Sequence, residues 1–137
     1  MIEFQHIDSP VKINYQQTTR WLNNVIINEN KTVGEIVFVF CTDEFLLAKN
    51  RKHLNHDFLT DVITFDYCND NLITGDVLIS TERVEENART YEVTFLKELQ
   101  RVMVHGLLHL LGYNDKTKKE EKEIREKEDY YLEKISI

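Results

Sequence analysis

Apolar and polar residues alternate over 2–7, IEFQHI, the two-residue period of a half-buried strand. Further on the period lengthens, and Trp21, Leu22, Val25 and Ile26 recur at helical spacing as one apolar stripe. Ser9 followed by Pro10 predicts the N-cap and first position of that helix. GEIVFVF (34–40) is almost wholly apolar, which predicts a central strand covered on both faces. TDEFLLAKNRKHL (42–54) opens on a capping threonine with acids in its first turn, hence a second helix. TDVITFDY (60–67) and GDVLIS (75–80) flank CNDNLIT and are predicted to pair as neighbouring strands across a turn. A short helix follows over 80–91. Thr94 caps another that stops at Gly112, and 116–135 form a charged helix with Ile124, Tyr131 and Ile135 on one side.

This order predicts an α+β fold, a mixed α/β sandwich of about four strands in one small sheet with about five helices. The 137 residues suit a single domain spanning 1–137. Apolar content of 42% with 30% charged residues is that of a globular protein in water, and no apolar run is long enough for a membrane span. The start, MIEFQHIDSPVK, has no basic segment followed by an apolar one, so no signal peptide is expected. Cys41 and Cys68 are too few for a disulfide framework, which points to a reducing cytoplasm. A net charge of −7 argues against a broad nucleic-acid-coating surface. Locally, however, KNRKHLNH (49–56) gathers Lys49, Arg51, Lys52, His53 and His56 without an acid. That cluster reads either as a solvated helix end, where the dipole favours cations, or as a grip on a phosphate backbone.

Candidate chemistry concentrates in HGLLHLLGYND (105–115). His105 and His109 are four apart on a predicted helix, so their side chains share one face, about 5–6 Å between Cβ atoms. Two imidazoles so placed can converge on one cation. Gly112 can end the helix in a left-handed turn and return Asp115 as a third ligand. Val102, Met103, Leu107, Leu108, Leu110 and Leu111 make the helix apolar nearly all round, so the histidines need partners. Three protein ligands with a fourth position open describe a catalytic zinc site. Nickel, iron and manganese accept the same ligand types. Zinc proteases of this ligand spacing carry glutamate after the first histidine, where this chain has Gly106. A peptide-cleaving engine would therefore lack its base, and Gly106 suggests close approach of another backbone or lack of room.

HGLLHLLGYND resembles the H-G-x-L-H-L-x-G-Y-D-H signature of the bacterial YbeY family, LTDVITF (59–65) its T-[DN]-V-L-[ST]-F strand, and GDVLIS its G-D-I-x-I-S. The resemblance implies a metal-dependent endoribonuclease on single-stranded RNA, acting in ribosomal RNA maturation at the 3′ end of the small-subunit RNA and in ribosome quality control. It implies His105 and His109 as metal ligands, with Asp115 where the family has its third histidine. Asn114 replaces the preceding aspartate, and Leu54 stands where the family has an arginine, with Arg51, Lys52 and His53 within a turn of it. RNA and the ribosome or its small subunit are the implied partners, and no membrane. Lys49, Arg51, Lys52 and His53 are the candidate RNA contacts. Asp61 reads as a hydrogen-bond partner at a strand start rather than a catalyst, and Asp76 stays open between the same roles. Two other readings remain: an assembly factor with a structural metal and little nuclease activity, and a metallohydrolase of peptides or small molecules.

Overall fold

A computed structural model describes residues 1–54 and 60–135, the side chains of residues 53 and 54 excepted. Strand β1 (Ile2–His6) leads to helix α1 (Tyr15–Asn28), strand β2 (Thr32–Cys41) and helix α2 (Asp43–Leu54). Strands β3 (Val62–Asp66) and β4 (Leu72–Ser80) follow, then helices α3 (Thr81–Thr90), α4 (Phe95–Leu110) and α5 (Lys118–Leu132). The strands form one mixed sheet in the order β1-β2-β4-β3. β2 runs parallel to both neighbours, and β3 pairs antiparallel with β4. The α+β architecture expected from the sequence is the one observed.

β2 is interior and covered on both faces, as its unbroken apolar run requires. Ile36, Phe38 and Phe40 point into the larger core with α1 and α4, while Val39 and Cys41 join Leu46 of α2 in a smaller one. α4 is the best-buried helix. Leu99, Met103, Val104, Leu107 and Leu108 are fully enclosed, each contributing on the order of 2 kcal/mol relative to exposure. It lies directly on the sheet at Gly106, where an added Cβ would stand 2.6 Å from Val77 Cγ1. The close approach anticipated at Gly106 is real, but the neighbour is a valine side chain rather than a backbone.

The start of α1 differs from the Ser9–Pro10 expectation. Asn14 is the N-cap, its side chain accepting from the Gln17 amide at 2.9 Å. Ser9 is instead buried, and its hydroxyl bonds that of Thr81 at the start of α3. A side chain committed to a distant element cannot cap the local helix, so the chain stays irregular through Pro10. The caps expected at Thr42 and Thr94 form, and Ser80 and Thr117 act in the same way, each accepting from an amide three residues on. At Thr117 the Glu120 carboxylate completes a capping box.

Candidate metal centre

α4 places His105 and His109 one turn apart, with ring centroids 4.6 Å from each other. The turn beyond it is a Schellman motif: the Gly112 amide donates to the His109 carbonyl and the Tyr113 amide to the Leu108 carbonyl, both near 3.0 Å. Gly112 has a φ of +105°, which a residue with a Cβ rarely adopts. This reversal turns Asp115 back toward the histidines. Its Oδ2 lies 3.4 Å from His105 Nε2 and 3.3 Å from His109 Nε2, and the two Nε2 atoms are 3.0 Å apart.

The other ring nitrogens are engaged elsewhere. His105 Nδ1 donates to Glu128 Oε2 at 2.6 Å, and His109 Nδ1 donates to the Tyr113 carbonyl at 3.0 Å. Such bonds fix the ring orientation and turn both Nε2 atoms toward Asp115. This donor set fits a divalent cation: two nitrogens and a carboxylate oxygen face one another across less than 4.8 Å, each with a lone pair to give. Both histidine side chains are 23% exposed and Asp115 is 42% exposed, so one side of the site faces water.

Glu128, on α5, was not singled out by sequence, although it sits four residues after Ile124 and three before Tyr131, on their buried stripe. It is 3% exposed and shared between His105 and Arg101, whose Nη1 lies 2.8 Å from Oε1. Arg101 Nη2 also bonds Asp129 at 2.8 Å. Burial alone lowers the His105 pKa, but the hydrogen bond and charge of Glu128, then the charges of Asp115 and Asp61, outweigh it and leave it raised. A cation at Nε2 would therefore compete with the protonated form of His105 that Glu128 favours.

The basic cluster lies elsewhere. Lys49 sits over the Phe45 ring at 5.3 Å and lines a groove with Val39 and Leu78, on the sheet face opposite α4. Arg51 and Lys52 are exposed on α2, while the His53 side chain and residues 55–59, which include His56, lie outside the described residues. Asp61 accepts from Asn87 Nδ2 at 3.3 Å, a hydrogen-bond partner as expected. Asp76 faces the Lys49 groove. The structure thus joins His105, His109 and Asp115, and separates Lys49 from them.

A family model described as Endoribonuclease YbeY matches residues 2–136. A protein of that name from Flavobacterium johnsoniae is 47% identical over the whole chain and 96% of its own length. Another of that name, from Amoebophilus asiaticus, is 53% identical over 83% of this chain and 78% of its own. The solution structure of a Thermotoga maritima protein, 29% identical, superposes with a TM-score of 0.71 over 98% of this chain and 89% of its own. With the motifs, the sheet and the clustered histidines in one frame, the chain belongs to the Endoribonuclease YbeY family.

Proposed function

We propose that the protein is a zinc-dependent endoribonuclease of single-stranded RNA, working in maturation of the 3′ end of the small-subunit ribosomal RNA and in ribosome quality control. The observation that carries this reading is the convergence of His105 Nε2, His109 Nε2 and Asp115 Oδ2, with both rear nitrogens already committed. Mixed imidazole and carboxylate ligation with an open position suits zinc. A cation held there supplies Lewis acidity toward a phosphate oxygen and makes water a stronger acid.

The chain's own residues set the stage for that chemistry. Glu128 and the Tyr113 carbonyl hold the two imidazoles in one tautomer, and Arg101 holds Glu128. Gly106, pressed on Val77, leaves no space for the glutamate a peptide hydrolase would carry. Lys49, Arg51, Lys52 and His53 are the candidates for gripping the RNA backbone. The partners in this reading are RNA and the small ribosomal subunit, and its place is the cytoplasm.

The test is cleavage of an end-labelled single-stranded RNA by the full chain, with zinc and with chelator, beside the His105→Ala/His109→Ala double variant. Cleavage is expected from the zinc-loaded protein, with a loss of at least about 100-fold on chelation or in the variant. Cleavage that survives both would overturn the reading.

A further inference from the structure

Beside the metal centre, and sharing His105 and Asp115 with it, lies a pocket of about 250 Å³ between α3, α4, α5 and the start of β3. Its inner wall holds Glu98, a carboxylate in the first turn of α4 that is only 5% exposed. Among the described residues Glu98 makes no side-chain hydrogen bond or ion pair, yet no buried polar atom is sealed without a partner. Its oxygens therefore open into the pocket. Burial, and then the charge of neighbouring Asp61, push its pKa up, and burial does the same to Asp61. A carboxylate so placed is costly until a donor reaches it.

The wall chemistry decides what that donor is. Asp61, Glu98, Glu121 and Glu128 line the pocket against Arg101 and Arg125. Arg101 already serves Glu128 and Asp129, so a phosphate meets net negative charge. A second divalent cation lacks ligands, since the described residues gather three metal-competent groups only at His105, His109 and Asp115. A neutral, flat ligand with a donor edge fits. Val102 and Ile124 supply apolar wall, and Tyr91, 61% exposed, stands at the pocket as a stacking surface. The pocket falls just below the roughly 300–1,000 Å³ of whole small-ligand sites, a size for one base rather than a nucleotide.

Resting on the endoribonuclease reading, we propose that this pocket is a nucleobase subsite in which Glu98 selects guanine beside the scissile phosphate. Guanine alone presents two adjacent donors, N1–H and the N2 amino group, which one carboxylate accepts together. Adenine and cytosine offer a single amino donor, and uracil sets its one N–H between two acceptors that a carboxylate repels. Glu98 and His105 are seven residues apart on α4, roughly 10 Å along the axis. A base attached to a nucleotide flanking a metal-held phosphate can span that distance.

Two measurements test the subsite. In the first, the full zinc-loaded chain cuts a pool of single-stranded RNAs with randomised flanks, and products are sequenced. Guanine should be enriched at one fixed position beside the cut by about tenfold or more. Replacing that guanosine by inosine, which lacks only the N2 amino group, should remove most of the enrichment. E98Q, nearly the same shape, should erase it as a ratio within one pool. A uniform rate loss with the ratio unchanged would assign Glu98 to folding or proton transfer and overturn the proposal. In the second, guanosine, inosine and uridine are titrated into the full chain and the Asn87 and Tyr91 amides followed by NMR. Shifts from guanosine exceeding those from uridine are expected; equal responses would overturn the subsite. Should the wild type cut no RNA, the endoribonuclease reading fails, while the titration still decides the pocket.

Discussion

At the scale of single residues, the centre depends on how little each side chain is left free to do. His105 and His109 each have one nitrogen bound to protein, so only Nε2 is available, and Asp115 supplies the single oxygen that meets both. In the proposed centre, replacing Asp115 by alanine removes a ligand, not a supporting partner. The expected loss in zinc affinity therefore exceeds the roughly 10–100-fold typical of an outer partner. Asp115→His should hold zinc within about tenfold of the wild type, since imidazole is an equally accepted ligand. Competition with a chromogenic chelator measures both. Equal affinity in wild type and Asp115→Ala would place the third ligand elsewhere. This triad was legible in the sequence because its geometry is local: a four-residue helical interval, then a glycine turn. Glu128 and Glu98 were not. Each reads in sequence as one acid among many, and only the packing of α5 on α4 buries the first beside His105 and leaves the second facing a pocket.

At the scale of elements, α4 is both the core's largest apolar contributor and the platform for His105 and His109, so displacement of the helix moves the site. Gly106 fixes its distance from the sheet. A Cβ there meets Val77 Cγ1 at 2.6 Å and Val62 Cγ2 at 3.4 Å. Gly106→Ala should thus destabilise the protein by about 1–3 kcal/mol through overpacking, despite alanine's better helix propensity. Val77→Ala in the same chain should restore part of the loss by making room, and thermal melts of the single and double variants give the coupling. Additive losses would show that the contact is not what limits Gly106. The helices and strands themselves were readable from periodicity and caps. Ser9 misled because its hydroxyl serves Thr81, 72 residues away, a pairing that no local pattern announces.

At the scale of the whole molecule, α1, α5 and the turn after α4 meet at Glu29. Its carboxylate accepts from the hydroxyls of Tyr113 and Tyr131 and lies 3.3 Å from Lys127 Nζ. Burial alone raises its pKa, but these donors outweigh burial and leave it lowered. A carboxylate whose pKa falls on folding adds stability above its unfolded value, near 4.3. That contribution disappears as the pH drops through the lower folded value. Glu29→Gln should cost about 1–2 kcal/mol at pH 7 and progressively less in acid. The gap in melting temperature between the two proteins should narrow below about pH 4; a constant gap would contradict the assignment. Charge also shapes how RNA meets a chain of net −7. If Arg51 and Lys52 each hold one phosphate, neutralising both should flatten the salt dependence of single-strand binding by about 1.4 in slope. An unchanged slope would remove α2 from the RNA path.

Trp21, the chain's single tryptophan, is 4% exposed and donates its indole N–H to the Tyr131 carbonyl at 2.7 Å. Tyr131 in turn reaches Glu29, which holds Tyr113, whose carbonyl steadies His109. The fluorophore is therefore linked through hydrogen bonds to the end of the helix that carries His105 and His109. A change in how that helix end is held should therefore register in intrinsic emission, in unlabelled protein and in real time.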